Sequence, residues 1–125
     1  FHRVIPIVAL VGDEIVADAT IHRSRSPSRS HVGELRIVVD QRYREIGLGR
    51  RLIRELLDIA AEMGLYMAIF ELVAQRERAA IMAAESVGFR EVGTLQGRIR
   101  DMWGNYQDLV VMEMSLKDHE LWWRF

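Results

Sequence analysis

Ile37-Val38-Val39-Asp40-Gln41-Arg42-Tyr43-Arg44-Glu45-Ile46-Gly47-Leu48-Gly49-Arg50-Arg51-Leu52-Ile53 reads as the end of a strand, a polar turn and the entrance of a helix. The strand is predicted over Glu34 to Asp40 (ELRIVVD), where β-branched residues cluster. From Leu48 onward the apolar positions Leu48, Leu52, Leu56, Ile59 and Met63 recur at the spacing of one buried helical stripe, and Gly64 stops the helix. On the polar face Arg51 stands four residues from Glu55, and Arg54 four from Asp58. Glycines at such an entrance have a chemical meaning. The first turn of a helix leaves its N–H groups without intrahelical partners, and the macrodipole adds roughly half a positive charge there. Gly47 and Gly49 carry no Cβ, so an anion can approach those groups closely, and Arg44 and Arg50 add full charges nearby. The Gly-Lys-Ser/Thr ending of a nucleotide P-loop is absent, and Leu52 occupies the third glycine position of a dinucleotide fingerprint. From these residues alone, two readings stand: an anion cradle, or a tight turn that needs glycine.

The sequence on either side sets the fold. Downstream, Tyr66 to Val73 (YMAIFELV) is nearly continuous apolar sequence, as expected of a central strand covered on both faces. Arg76 to Val87 is predicted as a second helix, with Ala80, Ile81, Ala84 and Val87 on one side and Gly88 as its stop. Strand, helix, strand implies a parallel crossover. Upstream, Val4 to Val11 and Glu14 to Arg23 flank Gly12-Asp13 as a hairpin, and Pro6 assigns the first strand to an edge or a bulge. Ser24 to His31 (SRSPSRSH) has no aromatic residue for base stacking and reads as a solvated loop rather than an RNA-binding arm. Phe89 to Leu95 and Tyr106 to Leu116 are two further strands, joined by a connection holding Gly97 and Gly104. The order β-β-β-α-β-α-β-β predicts an α/β (α+β) domain. Its sheet is mixed and mostly antiparallel with one parallel β-α-β crossover, and the helices pack on it.

Composition sets outer bounds. The 125 residues suffice for one domain, expected over 1–125, with an aromatic tail at 118–125. A net charge of −1 gives no strong attraction to nucleic acid or to an anionic membrane. The absence of cysteine excludes disulfides and thiolate chemistry, and fits a reducing, cytoplasmic setting. Apolar runs such as Met67 to Phe70 fall far short of the roughly 20 residues that span a bilayer, and no signal peptide is expected. The tail, Leu121-Trp122-Trp123-Arg124-Phe125, is too short to anchor in a membrane and reads as packing on its own domain or on a second subunit.

The stretch from Ile37 to Ile53 resembles motif A of the GNAT superfamily of N-acetyltransferases, whose hallmark of Gln or Arg, two residues, Gly, one residue, Gly or Ala falls here on Arg44, Gly47 and Gly49. Ala80-Ile81 with Gly88-Phe89 resembles motif B. The likeness extends over about Val4 to Leu116 and is strongest between Ile37 and Phe89. It implies the acyl-CoA N-acyltransferase fold and direct transfer of an acetyl group from acetyl-CoA to a primary amine of a small molecule or protein. It implies no metal, no nucleic acid and no membrane, and it allows a homodimer. It further implies that the backbone of Ile37, Val38 and Val39 bonds the pantetheine arm. The amides of Glu45, Ile46, Gly47, Leu48, Gly49 and Arg50 would then hold the pyrophosphate, with Arg44 beside them. The thioester would lie where strands ending near Val39 and Val73 splay apart.

The chain departs from the family in three places. The asparagine and the tyrosine usual in motif B are replaced by Glu77 and Ala84. That tyrosine is the common general acid toward the leaving thiolate, so its role passes to Ser86, Tyr106 or water, or is dispensable. Otherwise the chain is a non-catalytic acyl-CoA-binding module. For the base that takes the amine proton, Glu34 is one candidate, with a plain surface carboxylate as its ordinary reading, and Glu71 within its apolar strand is the second. His22 and His31 flank the hairpin loop and read as surface residues. Finally, the strand and two helices that precede the first hairpin in the family have no counterpart here, which leaves the acceptor wall unassigned. A third reading, a nucleotide-phosphate protein unrelated to CoA, rests on the glycine loop alone.

Overall fold

Alternation of apolar and polar residues builds the sheet strand by strand in the computed structural model, which describes residues 2–44 and 46–117. The strands β1 (His2–Val11) and β2 (Glu14–Ser24) form the predicted hairpin around Gly12, whose φ of 61° is the left-handed value that glycine accepts without strain. A register slip between Ala9 and Leu10 marks a bulge in β1. Pro6 lies in β1 opposite Thr20, and among the described residues β1 is an edge strand, one of the two places its missing N–H allows. Strand β3 (Val32–Val39) pairs antiparallel with β2, and helix α1 (Leu48–Glu62) then crosses to β4 (Met67–Val73), parallel to β3. Helix α2 (Arg78–Val87) leads to β5 (Arg90–Arg100), which returns as β6 (Tyr106–Ser115). The six strands lie in the order β1-β2-β3-β4-β6-β5, so the chain is a mixed sheet with one parallel pair, as the element order predicts.

Both helices pack on one face. Leu52, Ile53, Leu56, Leu57 and Ala60 of α1 are buried against Ala19, Ile21, Leu35, Ala68, Phe70 and Met112 of the sheet, with Ile81 and Ala84 of α2 in the same cluster. On β3, Gly33 and Leu35 point into this core, whereas Arg36 and Val38 face the other way and are exposed. The second face of β4 carries Met67 and Ile69, half-buried, and Glu71, exposed. The expectation that β4 is covered on both faces therefore fails among the described residues: one face packs on the helices and the other is open. An apolar run does not tell which of its faces has a neighbour. Strand β5 is also longer than predicted, running on to Arg100 through Gly97. It is exposed along almost its whole length.

Candidate functional site

The loop between β3 and α1 is organised by one carboxylate. Asp40 accepts hydrogen bonds from the Arg42 backbone N at 2.9 Å and from its guanidinium Nη2 at 2.9 Å, capping the 3-10 turn Gln41–Tyr43. The hydrogen bonds from Arg42 hold its carboxyl down at about 2, well below the usual carboxylate value. Arg42 also pairs with Glu14 across the hairpin, so its charge is engaged away from the helix entrance. Arg44 turns back instead, its Nε donating to the Val39 carbonyl at 3.2 Å. Glu45, a candidate pyrophosphate ligand, lies outside the described residues. Ile46 is exposed, and Gly47 caps α1 with φ 85° and no side-chain cap hydrogen bond, so among the described residues no capping side chain occupies the N–H groups of the first turn. Leu48 is half-buried and packs on the core. At Gly49 a Cβ would meet nothing within 4 Å, so the space in front of that amide is open.

That space belongs to a cavity of about 340 Å³. Arg44, Gly47, Gly49, Arg50 and Ile53 form one end. Ile37, Val38, Val39, Phe70 and Leu72 of the two parallel strands, with Arg76, Glu77, Ala79, Ala80 and Ala83 at the start of α2, form the rest. Arg76 adds a third basic lining residue beside Arg44 and Arg50, one that the sequence did not single out as a ligand; its position at the approach to α2 is the signal that was available.

Between the strands there is an opening. Pairing of β3 with β4 stops at Leu35 opposite Phe70, although β3 continues to Val39 and β4 to Val73. The backbone directions follow from the register. Asp40 N donates to Val16 O, so Val38, two residues before, directs its N–H and C=O to β2 as well. Ile37 and Val39 then direct theirs toward β4, into the opening. A bound amide chain would find donors and an acceptor on Ile37 and Val39, while Val38 supplies its side chain, which is 68% exposed on the face away from the helices.

The two candidate bases stand on that open face. Glu34 is half-buried and pairs with Arg36 at 3.3 Å, and the register aligns it with His22 on β2 and Ile69 on β4. His22 Nε2 lies 2.9 Å from Thr20 Oγ1. Glu71 is exposed on β4, beyond the last paired residue, Phe70. The cavity and these carboxylates thus occupy opposite sides of the sheet, joined by the opening. Among the other sequence candidates, Ser86 donates its hydroxyl to the Ala83 carbonyl at 2.7 Å, Tyr106 starts β6 and is exposed, and neither lines the cavity. His31 stacks edge-on against Tyr66 at 6.4 Å between ring centroids. The aromatic tail at 118–125 lies outside the described residues. Among those described, no cluster of His, Asp or Glu has a metal-site arrangement, and no helix is long and apolar enough to cross a membrane.

Residues 2–89 match the family model described as the acetyltransferase (GNAT) family. The chain belongs to the GNAT acetyltransferase family. Solved structures agree in fold. An acetyltransferase of the GNAT family from Streptococcus pneumoniae superimposes with a TM-score of 0.83 at 24% identity, covering 90% of this chain and 67% of the other. A Salmonella typhimurium protein solved with its cofactor acetyl-CoA gives 0.82 at 23%, covering 89% and 64%. The ribosomal-protein-alanine N-acetyltransferase from Brucella melitensis gives 0.80 at 30%, covering 88% and 67%. The chain spans about two thirds of the length of these structures. No curated protein shows significant similarity to it. Within the family frame, the acyl-CoA N-acyltransferase fold is the one described above. Ala84, at the position where the family usually has tyrosine, is fully buried in the core.

Proposed function

We propose that this GNAT domain binds acetyl-CoA in the cavity at the entrance of α1 and transfers the acetyl group to a primary amine on the open face of the sheet. The observation that carries the reading is the continuity of that cavity, from the uncapped first turn at Gly47 and Gly49 to the opening beyond Leu35 and Phe70. A diphosphate fits the first, where N–H groups, helix dipole and the Arg44, Arg50 and Arg76 side chains supply positive charge. An extended amide chain fits the second, where Ile37 and Val39 offer backbone groups.

In this reading the amine, arriving neutral, attacks the thioester carbonyl. The new C–N bond forms as the C–S bond breaks, and the proton lost from nitrogen goes to Glu71 or Glu34, directly or through water. The sulfur departs as thiolate and takes a proton from water, because no hydroxyl of the described residues lines the cavity. A cytoplasmic location and a homodimer are the remaining parts of the proposal. The acceptor belongs to a small molecule or a protein.

A thiol-release assay with a broad panel of amines tests the proposal, beside calorimetry with acetyl-CoA and with ATP. Acetyl-CoA binding with amine-dependent release of CoA is expected; binding of ATP without acetyl-CoA would sink it. The buried Ala84 favours a second reading, a non-catalytic acyl-CoA-binding module, and binding without release on any acceptor would select that one.

A further inference from the structure

Glu77 stands where the family usually has asparagine, and its carboxylate does something specific here. Its Oε2 accepts a hydrogen bond from the backbone N–H of Val73 at 2.5 Å, and its own backbone N–H donates to the Val73 carbonyl at 2.9 Å. The residue thus ties both backbone groups of the last residue of β4.

The register of the parallel pair shows what that N–H would otherwise do. Met67 N donates to the His31 carbonyl at 3.2 Å. A parallel ladder advances two residues on each strand per repeat, so Ile69 addresses Gly33, Glu71 addresses Leu35, and Val73 would address Ile37. Ala74 N donates to Asp108 of β6 at 3.0 Å, which confirms that the neighbouring N–H of Val73 points the other way, toward β3. Pairing nevertheless ends at Leu35 and Phe70. A backbone donor at this depth needs a partner, and two are within its direction: the Ile37 carbonyl on β3, or a side chain that supplies one locally. Glu77 supplies it. A charged acceptor competes well against a neutral carbonyl.

We infer that Glu77 is a positioning residue that holds the parallel strands apart by capturing the Val73 N–H, leaving the Ile37 carbonyl free to accept from a bound ligand amide. Naming that ligand the pantetheine arm of acetyl-CoA rests on the function proposed above; the capture itself does not. A purely structural role for Glu77 would be capping α2, yet its side chain makes no cap hydrogen bond to that helix.

Amide exchange and chemical shifts by NMR on the full chain test the capture. In Glu77→Ala the Val73 amide should shift and lose about tenfold or more of its protection, while amides of the β2–β3 pair stay as they were. Glu77→Gln, which keeps an accepting oxygen, should restore most of that protection. A Val73 amide indifferent to Glu77→Ala overturns the inference. Calorimetry then reads the consequence: acetyl-CoA should bind about tenfold more weakly to Glu77→Ala, with most of the loss recovered in Glu77→Gln. A Val73 amide that responds while acetyl-CoA affinity stays unchanged overturns the gap-holding role. Failure of the wild-type chain to bind acetyl-CoA overturns the proposed function instead, and the Val73 amide still decides the capture by Glu77.

Discussion

Gly49 and Gly47 sit two residues apart and do different work. Apart from its chain neighbours and its own helix backbone, nothing lies within 4 Å of a Cβ built at Gly49, so Gly49→Val should fold as the wild type does, yet place its side chain where a phosphate would approach. Acetyl-CoA affinity is expected to fall strongly with an unchanged melting temperature; equal affinity by calorimetry would refute the assigned site. Gly47 also has open space around it, but its φ of 85° is left-handed, so Gly47→Ala should cost about 1 kcal/mol of stability through backbone strain. Denaturant unfolding checks that. Asp40 gives a pH prediction. Its carboxyl is held at about 2 against an ordinary 3.8, so its contribution to stability is complete above the ordinary value and is lost as pH falls through about 2. The loop should therefore keep its order from neutral pH to about 4 and lose the cap below that, and an NMR titration of Asp40 with a midpoint near 3.8 would contradict the arrangement. That Arg44, Gly47 and Gly49 would meet at one end of a cavity was legible in the sequence because the grouping is local, made by residues around one helix entrance. Glu77 was legible only as a departure. Its partner is a backbone N–H released by the opening of a sheet, and no linear pattern records that.

Among the elements, α1 was read closely because its stripe is regular: Leu52 and Leu56 are buried as predicted, Leu48 and Ile59 pack on the rim of the same core, and the helix runs from Leu48 to Glu62. Leu56 is fully buried, and Leu56→Ala should cost about 2–5 kcal/mol, measured by denaturant unfolding. The β5–β6 hairpin was read short. Gly97 looks like a loop glycine, but its N–H donates to Asp108 Oδ1 of the facing strand at 2.9 Å, and its φ of 60° lets β5 continue through an irregularity. That contact joins residues eleven apart in sequence, beyond the reach of turn signals. At the tip, Asp101 Oδ1 accepts from the N–H groups of Trp103 at 3.0 Å and Asn105 at 2.9 Å. These bonds lower its pKa and fix the turn that displays Met102 and Trp103. Asp101→Ala should loosen the tip alone, seen as faster amide exchange at Trp103 and Asn105 with α1 unaffected.

At the scale of the molecule, the sheet separates two environments. The cavity with its basic rim lies at the helices, and Glu34 and Glu71 lie on the far face. Under the proposed function, Glu71→Gln and Glu34→Gln should therefore leave acetyl-CoA affinity intact, and the one that acts as base should lower turnover. Loss of affinity in either would mean the two faces are not independent. The family and the mixed topology were legible from element order and two motifs. The open face was not, because hydropathy records that a strand is apolar without recording which neighbours cover it. One last property concerns many copies rather than one. Among the described residues, strand β5 ends the sheet with an unpaired row of N–H and C=O groups, the template on which foreign strands add and aggregates grow. It carries two register irregularities, at Glu91/Gly93 and Leu95/Ile99, and the charged side chains Arg90, Glu91, Arg98 and Arg100. A strand broken twice offers no straight run for an incoming chain to copy, so this domain should stay dispersed at high concentration, whereas a variant with β5 straightened should precipitate.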